Sequence, residues 1–248
     1  MSKNVVFMHA IGYREEYRYG KESWAKWCEN NDVEFVFLDE EVRPVEDMFP
    51  NYHRYYMFDL LDASGIEYDR VLTVDADTLI NPNAPNIFEE TKSDVLYMVH
   101  DDGSYDWILR GMEHYRDEMS NEFGDIWFDF GSYGNSGFQL LGKEHKEFFK
   151  SMVELWDNYG ELIMDISNRY GIGKEQTIWN FMIRKHNIKW QLLPYEWNMT
   201  NMMKKEILSD NFAFTRVGWV YHFNGIPDKE NGSVARWMRE TETYLENQ

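Results

Sequence analysis

The sequence predicts an α/β fold in which helices flank a mostly parallel, Rossmann-like mixed β-sheet. Short β-branched or apolar runs of strand length recur along the chain, and helix-like segments separate the first of them. Alternation of strand and helix is typical of parallel sheets, whose ligands bind beyond the carboxyl ends of the strands. The chain has no internal repeat, low-complexity tract or Pro/Gly/Ser-rich linker. We therefore expect a single domain over residues 1–248.

The predicted elements follow one another as strand, helix, strand, helix, strand through the first part of the chain. Strands are predicted over residues 5–8, 33–38, 71–74, 94–99, 137–141 and 217–223. Helices are predicted over residues 16–30, 52–63, 144–159, 175–186 and 234–245. The segment 101–133 is aromatic, acidic and less periodic, and we expect it to form one wall of a site.

The aromatic residues divide into two groups. Those at helical spacing with other apolar residues are predicted to pack inward, namely Trp24, Trp27, Trp156 and Trp179. Others lie in loop-like stretches. Each of these either forms part of a platform for the acceptor sugar or only anchors a loop or the core: Trp107, Trp127, Tyr133 and Trp197.

Composition and charge limit the classes of function. The 248 residues, 43% hydrophobic and 17% aromatic, are enough for one well-buried core. A formal net charge of -19 argues against a general binder of nucleic acid or anionic membranes, which needs basic surface. Any phosphate must therefore be bound locally, by a metal ion or a few basic groups.

The chain has one cysteine, Cys28, which excludes an intramolecular disulfide and a cysteine-based zinc site. The apolar run 5–8 is too short for the core of a signal peptide, and no later stretch has the length of a transmembrane segment. We expect a soluble, cytoplasmic protein without a transmembrane segment.

The strongest local signal is the apolar strand 71–74 that runs directly into Asp75-Ala76-Asp77. Two carboxylates one residue apart at the carboxyl end of a strand can hold a hard divalent cation. The alternative is that both aspartates only cap the turn before Asn81-Pro82, a frequent use of Asp.

Five segments, in order and spacing, resemble the retaining nucleotide-sugar glycosyltransferases of family 8, the glycogenin and bacterial galactosyltransferase type. They are Tyr52-His53-Arg54, Asp75-Ala76-Asp77, Asn135-Ser136-Gly137 with the strand that follows, Glu175-Gln176-Thr177, and His222-Phe223-Asn224-Gly225. The resemblance implies the GT-A fold and transfer of a hexose from a nucleotide-diphosphate sugar, expected to be a UDP-sugar, to an acceptor hydroxyl with retention.

The resemblance also implies a metal site. Asp75, Asp77 and His222 would bind Mn²⁺ (or Mg²⁺), with diphosphate oxygens in the remaining positions, and two carboxylates with one imidazole suit manganese. For His222 the alternative is a buried strand histidine without a ligand. The Asn224-Gly225 turn favours the metal role because it places the histidine at a strand end.

Other matching residues are implied to bind the donor, and each has a structural alternative. Arg54 would reach the donor phosphates or sugar, or be an exposed helix cation. Asn135 and Gly137 would line the sugar pocket, or form a plain turn. Glu175 and Gln176 would be the catalytic pair: the carboxylate would hold donor hydroxyls and the amide would face the anomeric carbon. The alternative is a purely structural role, because Glu is common at a helix N-terminus.

The chain departs from the family pattern in three places. Glu175 stands where Asp is usual, and Thr177 where a second Asp often follows. The usual Lys-Pro-Trp after Gly225 is missing, although Lys229 lies close enough in sequence to reach the diphosphate. The nucleotide pocket after the first strand, with His9, Ala10 and the aromatic Tyr13, has the right position without a diagnostic match.

Two rival hypotheses remain open. A nucleotidyltransferase or nucleotide-sugar hydrolase would use the same metal and diphosphate, but nucleotidyltransferases of this fold usually carry a Gly-rich basic loop where this chain has Ala10-Ile11-Gly12-Tyr13-Arg14. A non-catalytic carbohydrate-binding protein is the other. The expected partners are a nucleotide-sugar donor and a glycan, lipid-linked or protein acceptor; the sequence fixes neither the acceptor nor the oligomeric state.

Overall fold

A six-stranded sheet lies at the centre of the computed structural model, which describes residues 3–12, 14–227 and 231–248. Its strand order is β2-β1-β3-β6-β5-β7, and β4 and β8 pair in a separate two-stranded ribbon. The strands are β1 (Asn4–His9), β2 (Glu34–Leu38), β3 (Arg70–Asp75), β4 (Thr78–Ile80), β5 (Leu96–His100), β6 (Gly134–Gly142), β7 (Trp190–Leu193) and β8 (Val220–His222).

The sheet is mixed and mostly parallel, as the sequence predicts. The β1–β2, β1–β3 and β5–β7 pairs are parallel, whereas β6 runs antiparallel to both of its neighbours. His9 pairs with Asp75 at the carboxyl ends of β1 and β3, and Val74 pairs with Phe138 near the start of β6. The carboxyl ends of β1, β3 and β5 and the amino end of β6 therefore meet at one edge of the sheet.

Helices cover both faces of the sheet. They are α1 (Glu16–Asn30), α2 (Met57–Ala63), α3 (Ile87–Glu90), α4 (Tyr105–Glu118), α5 (Ser120–Phe123), α6 (Lys146–Tyr170), α7 (Gln176–Lys185) and α8 (Ser233–Glu246), with a 3₁₀ segment over Pro50–Tyr56. Helix α6 ends at Tyr170 and is followed by Gly171, whose φ of 62° is the left-handed conformation that commonly stops a helix. None of the described helices combines the length and the apolar composition needed to cross a bilayer.

The alternation of side chains along β1 separates two cores. Val5 and Phe7 face the core that contains α2, α4, α6 and α7, whereas Val6 and Met8 face the core under α1. Such alternation is the consequence of the two-residue period of a strand. The tryptophans predicted to pack inward do so: Trp24, Trp27 and Trp179 are 0–1% exposed and Trp156 is 7% exposed.

The structure corrects three parts of the secondary-structure prediction. The segment 101–133 contains α4, whose buried residues Ile108, Met112 and Tyr115 follow a helical spacing that the surrounding aromatic and acidic residues obscure. Short strands β4 and β7 were not predicted. The last predicted strand is shorter, because Val217 is 63% exposed and follows a 3₁₀ turn.

Candidate functional site

Three potential metal ligands converge at the carboxyl edge of the sheet. Asp75 ends β3, Asp77 lies in the turn before β4, and His222 ends β8, which pairs with β4 so that Thr78 is opposite His222. The His222 Nε2 atom lies 3.2 Å from Asp77 Oδ1 and 3.6 Å from Asp75 Oδ2. One ligand atom from each of the three residues lies within 4.8 Å of the others, which is compatible with a shared ion.

The turn that carries the aspartates is held from two sides. The Thr78 hydroxyl donates to the Asp75 carbonyl at 2.6 Å, and the Phe223 amide donates to the Asp77 carbonyl at 3.0 Å. Helix α1 approaches through Gly20, where a built Cβ would lie only 3.2 Å from the Ala76 carbonyl carbon. Hydrogen bonds and close packing thus hold the backbone from which both carboxylates project.

A buried asparagine orients His222. Asn198 is fully buried, and its side-chain nitrogen donates to Asn135 Oδ1 at 2.9 Å, so its oxygen faces His222 Nδ1 at 3.1 Å. The imidazole therefore donates from Nδ1 and presents Nε2 to the two aspartates. Burial lowers the pKa of His222, but the Asp77 and Asp75 carboxylates outweigh it, so the pKa is raised overall.

We call Asp75, Asp77 and His222 the metal cluster, since they are the potential ligands of one ion. Arg54 lies behind this cluster and is only 1% exposed. Its Nη2 donates to Asp75 Oδ1 at 2.8 Å and lies 3.3 Å from His9 Nε2, and its Nη1 donates to the Ser136 carbonyl. Burial raises the pKa of Asp75, but Arg54 and His222 outweigh it and hold the pKa below its ordinary value. Arg54 therefore acts on the cluster through Asp75.

His9 is a neutral hydrogen-bonding group at the same edge. Burial, followed by the positive charge of Arg54, lowers its pKa to about 3. Because Nε2 faces the Arg54 guanidinium, Nδ1 carries the proton, and this buried atom has no hydrogen-bond partner among the described residues. His9 lines the cavity, but its Nδ1 atom is itself buried and faces Asp75 Oδ1 at 3.9 Å.

A network of amides and one carboxylate lies beside the cluster. Asn135 Nδ2 donates to Asp101 Oδ2 and to Gln176 Oε1, both at 3.0 Å, and Gln176 Nε2 donates to Asp101 Oδ2 at 2.8 Å. Asn201 also donates to Asp101, at 3.2 Å. No motif in the sequence singled out Asp101, although its position directly after β5 could have identified it.

Glu175 is 2% exposed and lies just before α7. Its carboxylate accepts hydrogen bonds from the Tyr55 hydroxyl and from Ser136 Oγ, the latter at 2.7 Å. Burial raises the pKa of Glu175, against the opposing effects of Arg54 and of these hydrogen bonds. The position suits a group that aligns its neighbours or a donor hydroxyl.

These groups surround one cavity of about 970 Å³. Most of the site residues predicted from sequence line it: His9, Asp75, Asp77, Asn135, Glu175, Gln176 and His222. Among the residues that the structure describes, four predicted ones do not line it: Ala10, Arg54, Gly137 and Gly225. The predicted Tyr13 and Lys229 lie outside the described residues.

Gly137 leaves space for the metal cluster because it has no side chain. A Cβ built there would lie 2.6 Å from His222 Cε1 and 2.9 Å from Asp75 Cγ. Any side chain would therefore push the imidazole and the carboxylate apart, which is why this position beside the cluster requires glycine.

Basic side chains also line the cavity, although the chain is strongly acidic. They are Arg14, Arg110, Lys174 and Lys204. Lys204 lies next to the turn after β8, because its Nζ is 4.0 Å from a Cβ built at Gly225. Lys204 thus supplies a cation near the turn from which Lys229 was predicted to reach the diphosphate. Its position is evident only from the folding of the 201–206 loop against that turn.

No protein-family model and no curated protein matches the sequence. Solved structures do match. A glycosyltransferase involved in the glycosylation of the major capsid of PBCV-1 superposes with a TM-score of 0.62 at 12% identity, over 97% of this chain and 99% of its own. GlyE, a glycosyltransferase of Streptococcus pneumoniae TIGR4, gives a TM-score of 0.50 at 10% identity, over 100% of this chain and 62% of its own.

The bifunctional glycosyltransferase WbbM also matches, with a TM-score of 0.50 at 13% identity over 99% of this chain and 51% of its own. The chain therefore has a GT-A-like glycosyltransferase fold, an α/β architecture with a mostly parallel mixed sheet flanked by helices. The predicted fold class is confirmed.

Proposed function

We propose that the protein is a metal-dependent glycosyltransferase of the family 8 type. It transfers a hexose from a nucleotide-diphosphate sugar, expected to be UDP-linked, to the hydroxyl of a glycan, lipid-linked or protein acceptor. The observation that carries the proposal is the cluster of Asp75, Asp77 and His222 at the edge of the cavity, within a glycosyltransferase fold. That edge is where open α/β sheets bind their ligands.

The donor atoms of the cluster fit a divalent ion. Two carboxylates and a neutral imidazole nitrogen suit Mn²⁺, and Mg²⁺ is the alternative. The Nδ1 contact with Asn198 leaves the Nε2 lone pair of His222 directed at the aspartates. When bound, the ion supplies positive charge that stabilises the departing diphosphate.

Residues of this chain supply the rest of the chemistry. Lys204 lies beside the turn after β8 and binds the diphosphate as a second positive charge. Asp101, Asn135 and Gln176 present hydrogen-bonding groups to the sugar hydroxyls, and His9 lines the cavity at the end of β1, where the nucleotide is expected.

Retention is expected to follow front-face attack by the acceptor hydroxyl on an oxocarbenium-like sugar. Gln176, the residue expected to face the anomeric carbon, carries an amide and is a poor nucleophile. The acceptor proton passes to the leaving diphosphate oxygen as the bond to the anomeric carbon breaks. A trapped covalent glycosyl-enzyme would contradict this route.

The proposal is tested by thermal unfolding of the protein with a panel of nucleotide sugars, with and without Mn²⁺. A donor at one hundred times its dissociation constant should stabilise the fold by about 2.7 kcal/mol. Asp77→Ala should remove the Mn²⁺-dependent part of the shift and leave the ligand-free protein folded. Asp210→Ala, which changes an exposed aspartate, serves as the matched control.

Turnover separates an enzyme from a binding protein. Mn²⁺-dependent release of nucleoside diphosphate supports the transferase, whereas stabilisation without release from any donor points to a non-catalytic carbohydrate-binding protein. An Mn²⁺-dependent shift that Asp77→Ala leaves intact would reject the metal role of Asp77.

A further inference from the structure

Another wall of the cavity carries positive charge and an aromatic ring. It is formed by Trp107 and Arg110 of α4 and by Gly173 and Lys174, which precede α7. We call these four residues the basic wall. Trp107 and Arg110 are three positions apart on a helix, so they share one face of α4.

The chain before α7 is held rigidly by buried hydroxyls. The carbonyl of Ile172 accepts from the Ser167 hydroxyl at 2.6 Å, that of Gly173 from the Tyr115 hydroxyl at 2.7 Å, and that of Lys174 from the Tyr52 hydroxyl at 3.1 Å. Three successive carbonyls are thus turned toward neighbouring side chains, while the Lys174 side chain lines the cavity. The wall is preorganised, which lowers the entropic cost of binding.

Trp107 presents a flat surface to the same space. Its ring lies against Gly173, where a built Cβ would be 2.7 Å from Cη2 and Cζ2. The tryptophan is only half-buried, and the rest of it lines the cavity. An exposed indole face on a fixed base packs well against the apolar face of a pyranose ring.

The lysine of the basic wall lacks an acidic partner within the part of the chain that the structure describes. Lys174 is half-buried and forms no ion pair with an acidic side chain of the described residues; its Nζ lies 4.8 Å from the centre of the Phe49 ring. Arg110 donates from Nε to Asp106 at 2.9 Å and from Nη1 to the Tyr170 carbonyl at 2.7 Å, which fixes the guanidinium at the cavity. In a chain of net charge -19, such an unpaired lysine indicates an anionic ligand.

The donor does not account for these charges. The metal cluster and Lys204 lie together at the end of β8, where they serve the diphosphate. Lys174 and Arg110 come from other elements that line the cavity, namely the segment before α7 and helix α4. Their ligand is therefore the second substrate.

We propose that the acceptor is a glycoside that carries an anionic substituent, a phosphate or a carboxylate. Its pyranose ring stacks on Trp107, and its anionic group binds Lys174 and Arg110. The inference rests on the proposed function and names the acceptor class for it. The anionic group does not react: a hydroxyl of the acceptor attacks the anomeric carbon, and nucleoside diphosphate leaves with the hydroxyl proton.

The test uses matched methyl glycosides of glucose, galactose and mannose, each as the neutral sugar, its 6-phosphate and its 6-carboxylate. With the donor identified by thermal unfolding, the KM for one of the charged forms should be about tenfold lower than for the neutral form, as expected for one charge-assisted contact. The phosphate and carboxylate arms distinguish the two sources of charge.

Variants separate charge from stacking. Lys174→Gln should raise the KM for the charged acceptor about tenfold and leave the KM for the neutral one nearly unchanged, whereas Lys174→Arg should restore the preference. Trp107→Ala should raise the KM for charged and neutral acceptors alike. Lys26→Gln, at an exposed lysine of α1, is the matched control, and thermal unfolding checks the fold of each variant.

The outcomes are distinguishable. Donor turnover with equal KM values for charged and neutral acceptors, or a preference that Lys174→Gln leaves intact, would overturn this inference and leave the transferase in place. Absence of nucleoside diphosphate release from any donor would overturn the proposed function instead. In that case calorimetric titration with the phosphorylated glycosides decides: binding that requires Lys174 supports the anionic subsite, and no binding overturns it.

Discussion

The oxygen of Asn198 lies 3.1 Å from Nδ1 of His222, although the two residues are far apart in sequence. Through this contact a buried amide selects the imidazole tautomer and directs Nε2 at Asp77, 3.2 Å away. Loss of a group that orients a metal-binding histidine in this way typically weakens metal affinity about 10- to 100-fold.

We predict that Asn198→Ala weakens Mn²⁺ binding by about 10- to 100-fold, because His222 loses the acceptor that fixes its tautomer. Isothermal titration calorimetry with Mn²⁺ measures the change. Asn158→Ala, at an exposed position on α6, should leave the affinity as it is. Equal Mn²⁺ affinity of Asn198→Ala and wild type would remove Asn198 from the site.

Gly137→Ala should disrupt the cluster without unfolding the protein. The added Cβ would meet His222 Cε1 at 2.6 Å, so the imidazole must move away from the aspartates. We expect Mn²⁺ affinity to fall by at least about tenfold, measured by the same titration. Gly131→Ala is the control, because a Cβ there meets only the side chain of exposed Asp129, at 3.1 Å.

Lys204→Gln should weaken donor binding by about tenfold, since one charge-assisted contact to the diphosphate is lost. The measurement compares the dissociation constants of the nucleoside diphosphate and of the nucleoside, and only the former should change. Lys205→Gln is the neighbouring control, because Lys205 already pairs with Asp102 at 2.6 Å. If both variants weaken diphosphate binding equally, the loss reflects the net charge of the protein, and a direct contact of Lys204 with the diphosphate is contradicted.

Glu242 in α8 predicts a pH dependence of stability. Burial, followed by the negative charges of Glu22 and Glu246, raises its pKa to about 7. The folded state therefore binds a proton that the unfolded state has lost, and this stability is complete below the unfolded pKa and disappears as the pH rises through the folded pKa. Relative to wild type, Glu242→Gln should become progressively more stable between about pH 5 and about pH 8.

Thermal unfolding across that pH range checks the prediction for Glu242. Glu29→Gln removes an equal charge from an exposed position on α1 and should show no such trend. A stability difference between Glu242→Gln and wild type that does not vary with pH would contradict it.

The sequence predicted the regular elements well where their periods are clear. Helix α1 has the predicted bounds, Glu16–Asn30, because its tryptophans recur at helical spacing. Helix α4 was missed because its few buried residues, such as Met112, are interspersed with aromatic and charged ones. Helix α6 runs through Gly160, which directly follows the predicted end at residue 159, and stops only after Tyr170, where Gly171 adopts the left-handed conformation.

The residues of the candidate site also fall into two groups, those with a local sequence signal and those without one. Asp75 and Asp77 follow a buried strand, so local sequence is enough to place them at the edge of the sheet. Asp101, Asn198 and Lys204 carry no comparable local pattern, since their partners lie in distant parts of the chain. The roles of the site residues, the single domain over 1–248 and the cytoplasmic location stay predictions.

The sequence by itself determined the α/β class, the inward-facing tryptophans and the paired carboxylates, because each depends on the spacing of neighbouring residues along one strand or helix. The resemblance implied that His222 would join those carboxylates, but only the tertiary structure shows how closely they approach and that Arg54 is buried behind Asp75. It also shows that Lys174 and Trp107 line one cavity and that Lys174 forms no ion pair with a described acidic residue. These relationships depend on which distant segments pack together, and packing is a property of the whole chain that no local period encodes.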